Sequence, residues 1–156
     1  MTPPDDEAAV RPARAGDLDA LVALEERAFP TDRLDRRNFR HALRSPTITL
    51  LVAARGDDVL GYATLMRRRG SRLAHLASIA VAEGGRGLGA RLLRAAEAEA
   101  LRAGCDRVRL EVRPDNESAR RLYERAGYAR FATEAEYYED GSAADRYERR
   151  LAPEAG

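Results

Sequence analysis

Apolar positions along the chain recur with two periods, and the changes between them divide it into elements. Ala8 to Arg14 reads as a short first strand. Behind Asp17, a residue type that caps helices, Leu18, Leu21, Val22, Leu24 and Ala28 recur at helical spacing until Pro30 stops the run. A second short helix, from about Asp35 to Leu43, carries Leu34, Phe39 and Leu43, and Pro46 closes that region. Ile48 to Ala54 and Val59 to Met66 are strands joined through Gly56-Asp57-Asp58, a hairpin signal. Leu73 to Ala82 is a third long apolar strand. A glycine-rich turn then opens a helix running to about Ala103, with Leu88, Leu92, Ala96 and Ala100 on one stripe and Gly104 as its stop. Val108, Leu110 and Val112 alternate with Arg107, Arg109 and Glu111 in a strand. Pro114-Asp115-Asn116 introduces a helix with Ala119, Leu122, Tyr123 and Ala126 on one face, ended by Gly127. Two more strands are predicted near Tyr128 to Thr133 and Ala144 to Leu151. Hairpins at both ends surround one β-α-β unit, so the expected architecture is a single α/β domain on a mixed, mostly antiparallel sheet.

The chain has 156 residues, enough for one domain with a substantial core; residues 8–151 are expected to form it, with 1–7 and 152–156 as polar tails. Arginine and lysine total 27 against 26 acids, so no overall field favours nucleic acid or an acidic membrane. No apolar run approaches the ~18 residues of a membrane span, and the acidic start carries no apolar leader segment, so a cytoplasmic location is the expectation. Every long-chain basic residue is arginine, which removes lysine Schiff-base and lysine general-base chemistry. Cys105 is the lone cysteine, which excludes an internal disulfide and a cysteine-based zinc cluster. His41 and His75, the two imidazoles, have no partners at metal-ligand spacing, and packing or solvent exposure is expected for both. No metal is expected.

A strand, glycines and then a helix can hold phosphate, because glycines admit a ligand close to the backbone and a helix N-terminus presents unpaired N–H groups. The segment Gly84-Gly85-Arg86-Gly87-Leu88-Gly89 has that form, with Arg86 adding a charge. The same residues also suit a plain tight turn. Gly85 to Ala90 satisfies a dinucleotide fingerprint, with Glu111 about 20 residues on where a ribose-binding acid would stand. A dinucleotide-binding oxidoreductase is disfavoured by the topology, since a hairpin precedes the motif and only one further helix follows.

Ile79-Ala80-Val81, the loop ending Arg86-Gly87-Leu88-Gly89, Glu111 to Asn116, Ala119 and Leu122 to Tyr128 together resemble the GCN5-related N-acetyltransferases (GNAT), and among them the ribosomal-protein-alanine N-alpha-acetyltransferases. The resemblance covers about residues 8–151. It departs from the family pattern in the loop, where Gly84 stands at the first position and the distance from Val81 is about two residues shorter. It implies a GNAT fold with a β-α-β acyl-CoA-binding core and two parallel strands that splay apart, Leu73–Ala82 and Arg107–Val112.

By that resemblance acetyl-CoA is the cosubstrate. The backbone of Ile79, Ala80 and Val81 would hold the pantetheine arm, Gly84, Gly85, Arg86, Gly87, Leu88 and Gly89 the pyrophosphate, and Asn116 the pantetheine side. Arg120 and Arg121 could reach the 3′-phosphate. Glu111 is the candidate general base; it would need its pKa raised by its surroundings, and the bland reading is a strand carboxylate paired with Arg109 or Arg113. Tyr123 is the candidate acid toward the leaving thiolate, since a phenol near pKa ~10 stays protonated above a thiol near ~8.5; its stripe also suits a core tyrosine. Phe29 and Pro30 would form one wall of the acceptor groove and Tyr137 and Tyr138 the other, though helix-stop and hairpin packing explain both pairs too. Glu136, Glu139 and Asp140 could attract a cation.

The predicted function is direct acetyl transfer to a primary amine, with a protein or peptide N-terminus as first choice. A small-molecule amine (amino acid, polyamine or antibiotic) is the alternative, and a non-catalytic acyl-CoA-binding regulator is the reading of another class. No nucleic-acid or membrane partner is expected, and either a monomer or a homodimer fits.

Overall fold

The computed structural model describes residues 8–29, 33–82 and 87–151. Eleven elements and a short 3-10 turn follow one another: β1 (Ala9–Pro12), the turn Ala15–Asp17, α1 (Leu18–Ala28), α2 (Arg36–Arg44), β2 (Ile48–Arg55), β3 (Asp58–Arg67), β4 (Leu73–Val81), α3 (Leu88–Arg102), β5 (Arg107–Val112), α4 (Glu117–Arg125), β6 (Ala129–Glu134) and β7 (Ala144–Arg150). The strands make one sheet in the order β1-β2-β3-β4-β5-β7-β6. Every neighbouring pair is antiparallel except β4 with β5. The mixed, mostly antiparallel sheet expected from the hydrophobic pattern is therefore present.

Helices cover both faces of the first half of the sheet, and strand composition follows from that. In β2, Leu51 and Ala53 face the cluster that holds Leu88, Leu92, Leu93, Ala96 and Ala100 of α3. Its alternate residues Leu50, Val52 and Ala54 face Leu21 and Leu24 of α1 and Phe39 and Ala42 of α2. A strand buried on both faces reads as a continuous apolar run. The second half differs. Val108, Leu110 and Val112 of β5 join the α3 side with Tyr123, Tyr128 and Tyr147. The alternate residues of β5 are charged and meet β7 instead, Arg109 opposite Glu148 and Glu111 opposite Arg146. This polar sheet face adjoins the site.

Two close approaches fix the layers. A Cβ on Gly61 would lie 2.9 Å from the Ala80 carbonyl oxygen and 3.0 Å from a Leu92 methyl carbon, so β3, β4 and α3 meet as they do only around glycine. Buried Glu97 of α3 accepts from the Tyr128 hydroxyl (2.8 Å) and from Arg149 of β7 (2.7 Å), tying the helix to the far half of the sheet.

Asp17 corrects one expectation. It stands at the N-cap position of α1, but its side chain makes no bond to that helix. It accepts instead from the Arg14 backbone N–H (2.8 Å) and from Arg11 of β1 (2.8 and 3.0 Å), which latches the first strand to the turn. The Arg11 bond holds the Asp17 carboxyl below the usual range despite its burial. Asp17→Asn is expected to lower stability at neutral pH by about 1–3 kcal/mol, the range for a buried polar group that loses a charged partner. A depressed carboxyl contributes stability above its unfolded pKa and loses it as pH falls through its folded pKa. Urea midpoints of the two proteins are therefore expected to differ at pH 7 and to converge in acid; an equal gap at both pH values would assign the effect elsewhere.

Candidate active site

β4 and β5 pair through three positions, Leu73–Arg107, Ala74–Val108 and His75–Arg109, and then part. At the parting β4 carries an extra residue. Thr64 faces Ser78 and Leu65 faces Leu76, so Ala77 has no partner on β3. Such a bulge bends a strand and frees backbone groups from the ladder. Two cavities open on either side of the gap. The larger, about 1100 Å³, is lined by Ile79, Ala80 and Val81 of β4, by Gly87, Gly89 and Ala90 at the start of α3, and by α4. The smaller, about 530 Å³, lies among Phe29, Leu34, Leu76, Ala77, Ser78, Glu111, Tyr123 and Tyr138. Ile79, Asn116 and Ala119 belong to both, so the cavities meet there.

The larger cavity has the donors an anionic cofactor needs. Gly87, at φ +71°, caps α3, and the first-turn N–H groups of a helix have no partner inside it. They lie at the positive end of the helix, and Arg94, Arg121 and Arg125 also line the cavity. Gly84, Gly85 and Arg86 lie outside the described residues. Leu88 begins α3, so its backbone N–H is one of these first-turn groups, while its side chain is fully buried in the core. Arg120 was, with Arg121, a residue that could reach the 3′-phosphate. It turns back to the Pro114 carbonyl (2.9 Å) and does not line the cavity, whereas Arg121 does. Asn116 uses its side-chain oxygen to cap α4, accepting from Ala119 N–H at 3.2 Å, which leaves its amide nitrogen for a ligand.

Glu111 lies at the wall of the smaller cavity, its side chain 8% exposed. The sequence suggested Arg109 or Arg113 as structural partners. Neither takes that place: Arg109 binds Glu148 and Arg113 binds Asp140 and Ser142. Glu111 is held by His75 Nε2 (2.5 Å), Arg146 Nε (3.3 Å) and the Tyr137 hydroxyl (3.3 Å). Burial alone would push its carboxyl up, but the His75 and Arg146 bonds outweigh burial and hold it below the usual range. The raised pKa expected of a lone carboxylate base is therefore absent. His75, expected only to pack or to face solvent, is the partner of that carboxylate.

Tyr123 of α4 is buried, lines the smaller cavity and packs edge-on against Tyr128 at 6.0 Å. Its hydroxyl bonds no other described residue, and burial pushes its pKa well above an ordinary phenol. Tyr138 lines the cavity with the Arg113 guanidinium 4.1 Å above its ring. Tyr137, 42% exposed, packs edge-on against Tyr138 at 4.9 Å and reaches the site through its bond to Glu111. Asp140, bonded first by Ser142 and then by Arg113, has its carboxyl held down at about 2. Phe29 lines the opposite wall; Pro30 lies outside the described residues. The site also includes Glu25 and Arg146, which the sequence did not single out, and His75, for which packing or solvent exposure was expected. His75 and Arg146 become visible only once strand register is known, since His75 sits beside β5 and Arg146 is the cross-strand partner of Glu111.

The family model described as Acetyltransferase (GNAT) family matches residues 18–128. The chain belongs to the GNAT acetyltransferase family. An uncharacterized N-acetyltransferase of Methanocaldococcus jannaschii is 34% identical over 135 residues, covering 85% of both chains. An uncharacterized protein of Mycobacterium leprae is 33% identical over 137 residues; the match covers 84% of this chain and 37% of that relative's length. The fold matches Ard1 of Thermoplasma volcanium (TM-score 0.82, 24% identity, 94% of this chain and 99% of that one). It also matches yncA of Salmonella typhimurium, solved with its cofactor acetyl-CoA (TM-score 0.80, 21% identity, 96% and 97%). A ribosomal-protein-alanine N-acetyltransferase of Brucella melitensis is similar as well (TM-score 0.77, 23% identity, 92% and 99%). Among the described residues of this GNAT chain no helix is long and apolar enough to cross a membrane, and no group of three or more His, Cys, Asp or Glu could hold a metal.

The two basic side chains bonded to Glu111 give a direct test. Removing either one, as His75→Ala or Arg146→Ala, is expected to raise the Glu111 carboxyl pKa, read by carbon NMR of the labelled side chain. An unmoved titration in both variants would show that these bonds do not set its charge.

Proposed function

We propose that the chain transfers an acetyl group from acetyl-CoA directly to a primary amine, and that its preferred acceptor is the α-amine of a protein or peptide. The observation that carries this reading is the meeting of the two cavities at Ile79, Asn116 and Ala119, with Glu111 and Tyr123 both lining the smaller one. The first turn of α3, the splayed backbone of β4 at Ile79 to Val81 and the nearby arginines fit a diphosphate joined to an amide-bearing arm. When bound, acetyl-CoA supplies an acyl group activated as a thioester.

The chain's own residues divide the proton work. An amine must lose a proton to become a neutral product. Glu111 faces the cavity, but the bonds from His75 and Arg146 hold its carboxyl below the usual range, which makes it a weak acceptor alone. Its Oε1 is bonded to His75 Nε2, so the pair can share the incoming charge, with Glu111 orienting the imidazole as carboxylates do in other acid–base pairs. Tyr123 keeps its proton because burial disfavours the phenolate, and it can give that proton to a leaving thiolate. Backbone N–H groups freed at the Ala77 bulge are suited to a developing oxyanion.

Amine acidity supports the choice of acceptor. A free α-amine has a pKa near ~7.8 and a lysine near ~10.4, a difference of ~3.5 kcal/mol that a site must otherwise supply. A base restrained by His75 and Arg146 suits the more acidic amine. The Tyr137–Tyr138 pair and Phe29 offer rigid rings on two sides for a peptide backbone.

Thiol release from acetyl-CoA, compared between N-terminal peptides and free polyamines with mass spectrometry of the products, tests the reading. Peptide acetylation at the α-amine is expected; preference for polyamines would move the acceptor to small molecules. Stabilisation in a thermal-shift assay is expected with acetyl-CoA and not with NAD(H), and the reverse would overturn the acetyl-transfer reading itself. Tyr123→Phe is expected to lower turnover by about a hundredfold or more, the usual scale of a lost proton donor. Its acetyl-CoA affinity should stay close to that of the wild type, and unchanged turnover would remove Tyr123 as the acid.

A further inference from the structure

Glu25 is a buried carboxylate that the proton transfers do not use. It is 2% exposed, yet it lines the smaller cavity. Its two oxygens reach two different elements. Oε2 accepts from the backbone N–H of Leu34 at 2.8 Å, nine residues further along the chain. Oε1 accepts from the Tyr62 hydroxyl of β3. Phe29 follows the last turn of α1, and Leu34 precedes α2; both line the cavity, and the bond from Glu25 ties these two parts of its wall together. Tyr62 is paired across the ladder with Ala80 of β4, next to Ile79, which lies on the opposite, β4 wall of the cavity. Among the described residues no cation lies within ion-pair distance of Glu25. A buried carboxylate without an ion pair is costly, so the bonds it makes must be worth keeping.

We propose that Glu25 is a positioning residue for the acceptor: by holding the Leu34 N–H and the Tyr62 hydroxyl together it sets the spacing between the Phe29–Leu34 wall and the β4 wall. It acts on how tightly the amine is held, not on proton transfer or on acetyl-CoA. This rests on reading the 530 Å³ cavity as the acceptor site.

The test is steady-state kinetics with an N-terminal peptide at saturating acetyl-CoA, on full-length Glu25→Ala, Glu25→Gln and Tyr62→Phe proteins. Thermal shift with acetyl-CoA is measured alongside. Glu25→Ala is expected to raise the acceptor KM about tenfold, the consequence of leaving a buried donor unpaired, with kcat and the acetyl-CoA shift held within about twofold. Glu25→Gln keeps an oxygen for the Leu34 N–H and is expected to restore most of the KM. A glutamine variant as impaired as the alanine variant would show that charge rather than spacing matters, and would overturn the proposal. So would a fall in kcat with KM unmoved. If the alanine variant does not fold, Tyr62→Phe decides: a rise in acceptor KM supports the proposal and an unchanged KM overturns it. A wild-type protein that acetylates no amine defeats the reading of the cavity and this proposal with it, whereas an active wild type with an unaltered Glu25→Ala defeats this proposal alone.

Discussion

The structure depends on two parallel strands that pair for three positions and no further. Backbone donors and acceptors left without partners are costly unless something else binds them. After His75 and Arg109, the facing edges of β4 and β5 give up their mutual ladder, and the room that results is the junction of the two cavities. The rest of the fold protects this opening. β4 remains paired to β3 on its other side, and β5 remains paired to β7 along its full length. The tight contact at Gly61 keeps α3 pressed on the strand that ends at the opening. The gap therefore costs the sheet one stretch of one ladder and leaves its neighbours rigid.

Around the opening, Glu111 and Tyr123 are tuned in opposite directions by different physics. Glu111 is buried yet held ionised, because a histidine and an arginine meet it from β4 and β7. Tyr123 is buried with no such company and is held protonated. A carboxylate that stays charged beside a phenol that stays neutral is a division of labour set by surroundings, not by residue type. The open sheet face makes it possible: α1 and α2 pack on the first half of the sheet, so the charged side of β5 and β7 remains available to these pairs.

Most of the fold could be read from periodicity. The strand and helix boundaries fell close to those expected because β5 alternates strictly, α3 carries a clean apolar stripe, and glycines follow α3 and α4 where the chain reverses. Asp17 was misread because an aspartate before an apolar run looks like a helix cap, and the competing arginine on β1 is seen only in three dimensions. At the site, Glu111 and Tyr123 were picked out by a motif and Phe29 and Tyr138 by the family resemblance, and all four line one cavity. His75 and Arg146 were not, because their roles come from which strands lie side by side. Glu25 was hidden for a related reason: a glutamate on a helix is ordinarily a solvated charge, and only the return of Leu34 and the approach of Tyr62 bury it.

The three residues shared by both cavities have a consequence for selectivity between amine and water. Two of them, Ile79 and Ala119, have hydrocarbon side chains, and the oxygen of the third, Asn116, is already committed to a helix end. A solvent molecule in that passage finds few side-chain atoms to bond, and poorly bonded water is readily displaced. A thioester held at that junction would thus have few side-chain neighbours able to fix a competing water beside it.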